Sequence, residues 1–219
     1  MPEFLDLPAL VIGLLLGAYW VRVLALVRKT KRRTGRAANF LPPEPLGRAL
    51  RIVWYPATVA WIVLPILRGI GVWSPTGMLY GQPAVRWLGV AVAVAAFWGT
   101  LVCWRRMGKE WRMGIDPEER TGLVVQGAFG YVRHPIYALQ QVLLVATAVV
   151  VPSPVLIGIV VLLMLLLQWE AAREERHMIA THGETYERYR GRVGRFVPRS
   201  LRPFDPAAGA SPAASSAAE

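Results

Sequence analysis

The fold class is decided by one uncharged run, residues 136–169, which reads IYALQQVLLVATAVVVPSPVLIGIVVLLMLLLQW. A single helix of that length would reach roughly 51 Å, well beyond the ~30 Å hydrocarbon core of a bilayer. Pro152-Ser153-Pro154 interrupts the run near its middle, and proline cannot continue a helix. The sequence therefore predicts a tight hairpin of two membrane helices, residues 136–151 and 155–169. The second helix is expected to continue through residues 170–180.

Three further apolar stretches precede this hairpin. Residues 7–27 are apolar apart from Arg22, and residues 52–67 and 87–104 carry no charge. The whole chain is 54% hydrophobic and 18% charged, whereas a soluble domain carries roughly 25% charged residues. This composition excludes a disordered chain and is not that of a water-soluble globule. We therefore expect an all-α integral membrane protein with about five transmembrane helices.

The placement of the basic residues sets the expected topology. The formal net charge is +11, which alone would also be compatible with nucleic-acid binding. However, the Lys and Arg counts in the segments between and after the five apolar stretches run 8, 2, 6, 0 and 8. Because cytoplasmic loops carry the excess of Lys and Arg, this alternation predicts five crossings in the inner or plasma membrane, with the N-terminus outside and the C-terminus cytosolic. No nucleic-acid partner is expected.

The domain boundaries follow from the same pattern. Residues 1–106 hold the N-terminal membrane helices and a basic cytosolic loop, and residues 107–204 hold the hairpin and most polar candidates. Residues 205–219 are rich in Ala, Ser and Pro and are expected to form a disordered tail. The first segment lacks the basic start and the cleavage site of a signal peptide.

A first cluster of candidate residues stands where the chain enters the hairpin. Arg133-His134-Pro135-Ile136-Tyr137 places proline in the first helical turn, where its missing N–H costs nothing. Arg133 and His134 are thereby delivered to a positive helix end, which suits a carboxylate or a phosphate. The alternative is that both side chains bind lipid headgroups.

A second cluster follows the last apolar residue of the hairpin. At helical spacing Glu170, Glu174 and His177 share one face, which continues the inward face of the preceding helix. The alternative is a solvated face of paired charges. Three histidines and one cysteine, without a metal-binding spacing, predict no metal site. Residues 182–190 predict a short amphipathic cytosolic helix, which could lie on the inner leaflet.

The order of these motifs resembles one known family. Leu123-Val124-x-x-Gly127-x-Phe129 leads into Arg133-His134-Pro135-x-Tyr137, the hydrophobic hairpin and Glu174-Glu175; Gly183-x-x-Tyr186-x-x-Tyr189 and Arg195-Phe196-x-Pro198 follow. This combination is similar to the isoprenylcysteine carboxyl methyltransferases, whose relatives include phospholipid methyltransferases. The resemblance covers roughly residues 108–199.

The resemblance implies an all-helical membrane enzyme that uses S-adenosyl-L-methionine in a cytosolic pocket, with a lipophilic or lipid substrate entering from the bilayer. Phe129 stands where the family often has tyrosine. Together with Arg133 from the first cluster, the implied cofactor positions are Thr121, Gly122, Leu123, Val124, Phe129, His134, Pro135, Ile136, Tyr137 and Glu174.

The sequence departs from the family pattern at Glu170. The prenylcysteine enzymes have an arginine at this position, four residues before the cofactor-binding glutamate, that resembles a binder of the substrate carboxylate. A glutamate there would favour an amine-bearing acceptor, so Glu170 is expected to face the substrate and to serve as a base. Two alternatives remain. One is an NADPH-dependent sterol or steroid reductase, whose HPNY-like segment differs at Ile136. The other is a non-catalytic lipid-binding protein.

Overall fold

The computed structural model describes residues 5–34, 45–75, 77–111 and 122–206. These residues form six α-helices and no β-strand, which confirms the predicted all-α class. The proposed tail falls almost entirely outside the described residues. The helices are α1 (Leu7–Thr34), α2 (Pro45–Gly69), α3 (Pro83–Met107), α4 (Pro135–Val150), α5 (Pro154–His182) and α6 (Glu184–Arg192).

Four of these helices, α1, α2, α3 and α5, are long and apolar enough to cross a membrane. The fifth predicted segment is the shorter apolar helix α4, whose 16 residues rise only roughly 24 Å. It ends at Val150, and Ser153 caps the start of α5 by accepting a hydrogen bond from Leu156 N at 3.3 Å. Large apolar side chains such as Leu14, Val59 and Leu165 are exposed along the outer helix faces, as expected of surfaces that contact lipid.

The helices pack as closely spaced neighbours. In the α1–α2 pair, a Cβ built on Gly13 would lie 2.5 Å from Ile66 Cγ1, and one built on Gly69 would lie 2.5 Å from Leu10 Cβ. Glycine therefore permits this approach. α3 packs along α4, and α5 packs against both α2 and α4. In the core, the fully buried Trp61 Nε1 donates a 3.0 Å hydrogen bond to Thr147 Oγ1.

A buried ion cluster joins the helices at one end of the bundle. Asp6, just before α1, accepts hydrogen bonds from Arg86 Nη2 at 2.6 and 2.7 Å and from Arg68 Nε at 2.9 Å. Arg86 also donates to the carbonyl of Val150 at the end of α4. The starts of α1 and α3 and the ends of α2 and α4 therefore meet here. The entries to α2 and α4, and the extension of α5, lie at the opposite end.

At that opposite end, α6 folds back against the bundle. Its Tyr186 and Tyr189 are buried, and together with Val193 they form a small core that packs against Leu123 and Phe204. The apolar side of α6 thus contacts protein. The tyrosines are covered by the chain itself, so they are not available to a lipid leaflet.

Candidate functional site

The loop that leads into α4 is held by the C-terminal segment. A 3₁₀ turn, Gly127–Gly130, begins at a positive φ of 63° that glycine tolerates. Beyond it, Arg133 N donates to Gly194 O at 2.8 Å and His134 N donates to Arg195 O at 3.0 Å. Tyr189 Oη also donates to Phe129 O at 2.6 Å. These bonds fix the backbone that carries Arg133 and His134.

The Arg133 side chain is buried and fully engaged within the protein. Its Nε and Nη2 donate to Glu175 Oε1 at 3.1 and 2.8 Å, and its Nη1 donates to the carbonyls of Arg190 and Val193. Arg195 neutralises the same glutamate from the outer side, with Nη2 2.7 Å from Oε2. Arg133 therefore borders the site, but its guanidinium contacts Glu175 and backbone carbonyls. The sequence had suggested instead that this guanidinium binds a carboxylate or a phosphate.

His134 lies between two glutamates. Its Nδ1 is 3.5 Å from Glu174 Oε2, and its Nε2 is 3.3 Å from Glu175 Oε1, a contact that is not aligned as a hydrogen bond. Burial lowers the pKa of the imidazole, but the two carboxylates outweigh burial and raise the pKa above its ordinary value. The ring stacks on Tyr137 at a centroid distance of 5.6 Å, and Tyr137 Oη donates to Glu174 Oε1. The ring of His134 is thus held in a fixed orientation, beside carboxylates that favour its protonated form.

Glu174 is the acidic group of this set that remains partly open, with 24% of its side chain exposed. A second glutamate, Glu110, also borders this space and accepts a 2.9 Å hydrogen bond from Gly122 N. The backbone N–H groups of Ile136 and Tyr137 belong to the first turn of α4 and have no intrahelical partner. Acidic side chains and unpaired amide donors therefore border the same space.

These residues line one cleft at the end of the bundle that is opposite the Asp6 cluster. The cleft is open to solvent at one side and has a cavity volume of ≈ 150 Å³. Every sequence-assigned cofactor position that the structure describes lies on its wall, while Thr121 falls outside the described residues. The wall includes Gly122, Leu123, Val124, Phe129, Arg133, His134, Pro135, Ile136, Tyr137 and Glu174.

Six further residues line the cleft that the sequence reasoning did not assign to it. The Gly-x-x-Tyr-x-x-Tyr motif was a usable signal for Tyr186 and Tyr189, because it was already part of the family resemblance. No comparable signal marked the other four, which reach the cleft from the end of α3, from the segment that follows it and from α5. They are Met107, Glu110, Trp111 and Met178.

Glu170 is buried beside the cleft, with both carboxylate oxygens occupied. Its Oε1 lies 2.6 Å from Arg51 Nη2 and 3.0 Å from Arg173 Nη2, and Arg173 Nε donates to its Oε2 at 3.1 Å. Arg173 lies three residues further along α5 and fits the alternative of paired charges on that face, whereas the sequence did not indicate Arg51, which lies on α2. The sequence had suggested that the Glu170 carboxylate is free to attract an amine or to accept its proton. The two ion pairs do not agree with that suggestion.

Comparison with known proteins supports the resemblance noted from the motifs. Residues 84–185, just under half of the chain, match the model of the phospholipid methyltransferase family. The nickel-cobalt-cadmium resistance protein NccN of Alcaligenes xylosoxydans xylosoxydans is 26% identical over 160 residues, which cover 72% of this chain and 70% of that protein. No solved structure matches the chain. The matched residues include every assigned cofactor position of the cleft, and this family implies methyl transfer to lipid-like molecules.

Proposed function

We propose, with the match of residues 84–185 to the phospholipid methyltransferase family as the premise, that this protein is an integral membrane methyltransferase dependent on S-adenosyl-L-methionine. One observation carries the proposal. Ten positions assigned to the cofactor from the family resemblance, spread from residue 122 to residue 174, line one cleft. Residues with unrelated structural roles would not be expected to line the same cleft.

The donors and acceptors of the cleft fit the parts of such a cofactor. The His134 imidazole, whose pKa is raised by the neighbouring carboxylates, and the free amides of Ile136 and Tyr137 suit the amino-acid carboxylate. Glu174, which keeps an exposed oxygen, suits a cationic amine or a hydroxyl group. Apolar walls, including Phe129, Met178 and Leu123, suit the adenine ring.

S-adenosyl-L-methionine supplies, when bound, a methyl group on a sulfonium centre that already activates it for attack by a lone pair of the acceptor. The chain therefore has little covalent chemistry to perform, and its contribution is alignment and exclusion of water. The hydrogen bonds that hold Phe129, Arg133 and His134 against residues 189–195 supply a rigid wall for that alignment. The acceptor is a lipophilic molecule that reaches the cleft from the bilayer.

The orientation that we propose places the cleft in the cytosol. A reporter fused after Glu219 should then read as cytosolic, and a reporter inserted within residues 74–82 should read as external, because the Lys and Arg excess stays on the cytoplasmic side. An alkaline phosphatase and green fluorescent protein pair at each position measures this. The reverse pattern at both positions would contradict the orientation.

The decisive experiment is ligand binding to the full chain purified in detergent. Isothermal titration with S-adenosylhomocysteine, the demethylated cofactor, is expected to show one saturable site. NADPH titrated in parallel tests the reductase alternative. Binding of NADPH alone would replace the proposal with a reductase, and binding of neither ligand by folded protein would favour a non-catalytic lipid-binding protein.

A further inference from the structure

Residues 197–203, with the sequence VPRSLRP, form a loop beyond α6 in which every residue is exposed. Backbone hydrogen bonds hold the chain on both sides of this loop. On one side residues 194–195 accept from the amides of residues 133–134, and on the other Phe204 N donates to Gly130 O at 2.9 Å. The loop is therefore tethered at both ends to the segment that enters α4, and we call it the tethered loop.

The tethered loop holds two large apolar side chains away from the protein. Val197 is 73% exposed and Leu201 is 93% exposed. The turn that leads to Val197 is tight, because a Cβ built on Gly194 would collide with Val197 O. Phe196, the preceding residue, has its ring beside His134 at a centroid distance of 6.0 Å. The protein thus packs Phe196 and leaves its neighbour Val197 uncovered on a fixed backbone.

The depth of the tethered loop follows from the length of α4. This helix has 16 residues and rises roughly 24 Å, less than the ~30 Å hydrocarbon core. Its far end meets the Asp6 ion cluster, because Arg86 donates to Val150 O, and such charges are costly inside the core. We therefore expect the start of α4 at the opposite edge of the core. The tethered loop, bonded to residues 130–134, then lies at the level of the lipid headgroups.

The charge around the tethered loop is strongly positive. Residues 188–203 contain six arginines and no acidic residue, and only part of this charge is offset by the pairs of Arg190 and Arg195 with glutamates. Arg199 donates to neutral backbone carbonyls at the end of α6, so it keeps its charge, and Arg202 is exposed. Clusters of about four to eight basic residues beside a membrane attract anionic lipid. The charge of this segment therefore complements a negative lipid surface.

We propose that the tethered loop docks on the lipid leaflet at the cleft end of the bundle and selects anionic phospholipid there. Val197 and Leu201 enter the boundary between headgroups and acyl chains, and Arg199 and Arg202 lie against lipid phosphates. In the orientation that we propose, this leaflet is the cytosolic one, which carries the negative surface potential.

Quenching by labelled lipid tests the docking on the full chain in nanodiscs. Ser200→Cys carries a nitrobenzoxadiazole fluorophore, and the chain's one natural cysteine, the buried Cys103, is replaced by alanine. The nanodiscs contain phosphatidylcholine with or without phosphatidylglycerol, and part of the lipid bears a nitroxide near the headgroup end of its acyl chain. Strong quenching is expected with phosphatidylglycerol. The ratio of docked to undocked loop should fall at least about fivefold without it.

The same fluorophore at Glu187→Cys is the matched control for position. Glu187 is exposed on α6, where it pairs with Arg190, and it lies outside the tethered loop. Quenching at this position should be weak in both lipids.

Two single substitutions separate the apolar and the charged contributions. Leu201→Ser should lower the ratio of docked to undocked loop about tenfold or more, and Arg202→Gln should lower it about fivefold. Arg176→Gln removes the same charge from an exposed position on α5 and should change the ratio little. The Tm in detergent should stay at the wild-type value in all three variants, because each side chain is exposed.

No quenching at Ser200→Cys in either lipid would overturn the docking. Equal quenching in the two lipids, or an unchanged ratio in Arg202→Gln, would overturn the selection of anionic lipid. The measurement contains no cofactor and no acceptor. Failure of the S-adenosylhomocysteine titration would therefore disprove the methyltransferase without affecting this inference, and failure of the quenching would leave the methyltransferase untouched.

Discussion

Replacing Glu174 by alanine is expected to weaken S-adenosylhomocysteine binding about 10- to 150-fold while the protein still purifies folded. Glu174 is the partly exposed carboxylate of the cleft, and it contacts both His134 and Tyr137. A lost hydrogen bond to a charged group costs about 1.5–3 kcal/mol, which gives this range of affinity. Isothermal titration on detergent-purified protein measures the change.

Glu187→Ala is the matched control for this substitution. Glu187 pairs with Arg190 on the exposed surface of α6, with 43% of its side chain accessible, and its removal should leave the affinity unaltered. His134→Ala should resemble Glu174→Ala, because it removes the imidazole that contacts Glu174 on the cleft wall. Wild-type affinity in both cleft variants would leave the proposed binding mode without support.

The largest loss of stability is expected for Arg133→Met. This change leaves Glu175 buried with one guanidinium fewer and removes the donor to the carbonyls of Arg190 and Val193. Removing one partner of a buried ion pair typically costs about 3–5 kcal/mol. For a chain of this size that corresponds to a fall in Tm of roughly 6–20 °C, which differential scanning fluorimetry can follow.

Arg195→Met provides the comparison, because Arg195 pairs with the same glutamate from a position that is 37% exposed. Exposed pairs contribute about 0–1 kcal/mol, so its Tm should stay near wild type. If Arg133→Met kept the wild-type Tm but lost S-adenosylhomocysteine affinity, the guanidinium would be serving the cofactor instead of holding Glu175.

Most of the fold could be predicted because apolar run length and proline position are local signals. The interruption at residues 152–154 sets the turn between α4 and α5, and the observed helix ends lie within one residue of the predicted ones there. The length of α5 also follows the sequence, since its helix-favouring residues continue beyond Trp169. The position of α6 could not be predicted, because its tyrosines are equally suited to a lipid surface and to a protein core.

The sequence predicted which residues line the cleft, but it did not predict most of the contacts between them. The order of the motifs predicted that the positions from Gly122 to Glu174 share one site, because proteins that resemble each other in motif order have similar folds. It could not reveal that Arg133 is neutralised by Glu175, because both are charged residues in polar segments. Nor could spacing reveal the ion pair between Arg51 and Glu170, whose members lie 119 positions apart in sequence.

The hydrogen bonds from Arg133 and His134 to residues 194 and 195 also determine when the cleft wall can form during biosynthesis. The ribosome delivers the chain from its N-terminus, so all five apolar helices are synthesised before the strip that closes the cleft wall. A nascent chain can therefore be fully inserted and still lack a working site. A stop codon between positions 183 and 193 would leave the five apolar helices in the chain but remove the backbone partners of Arg133 and His134, so correct insertion and a complete cleft wall are separate steps.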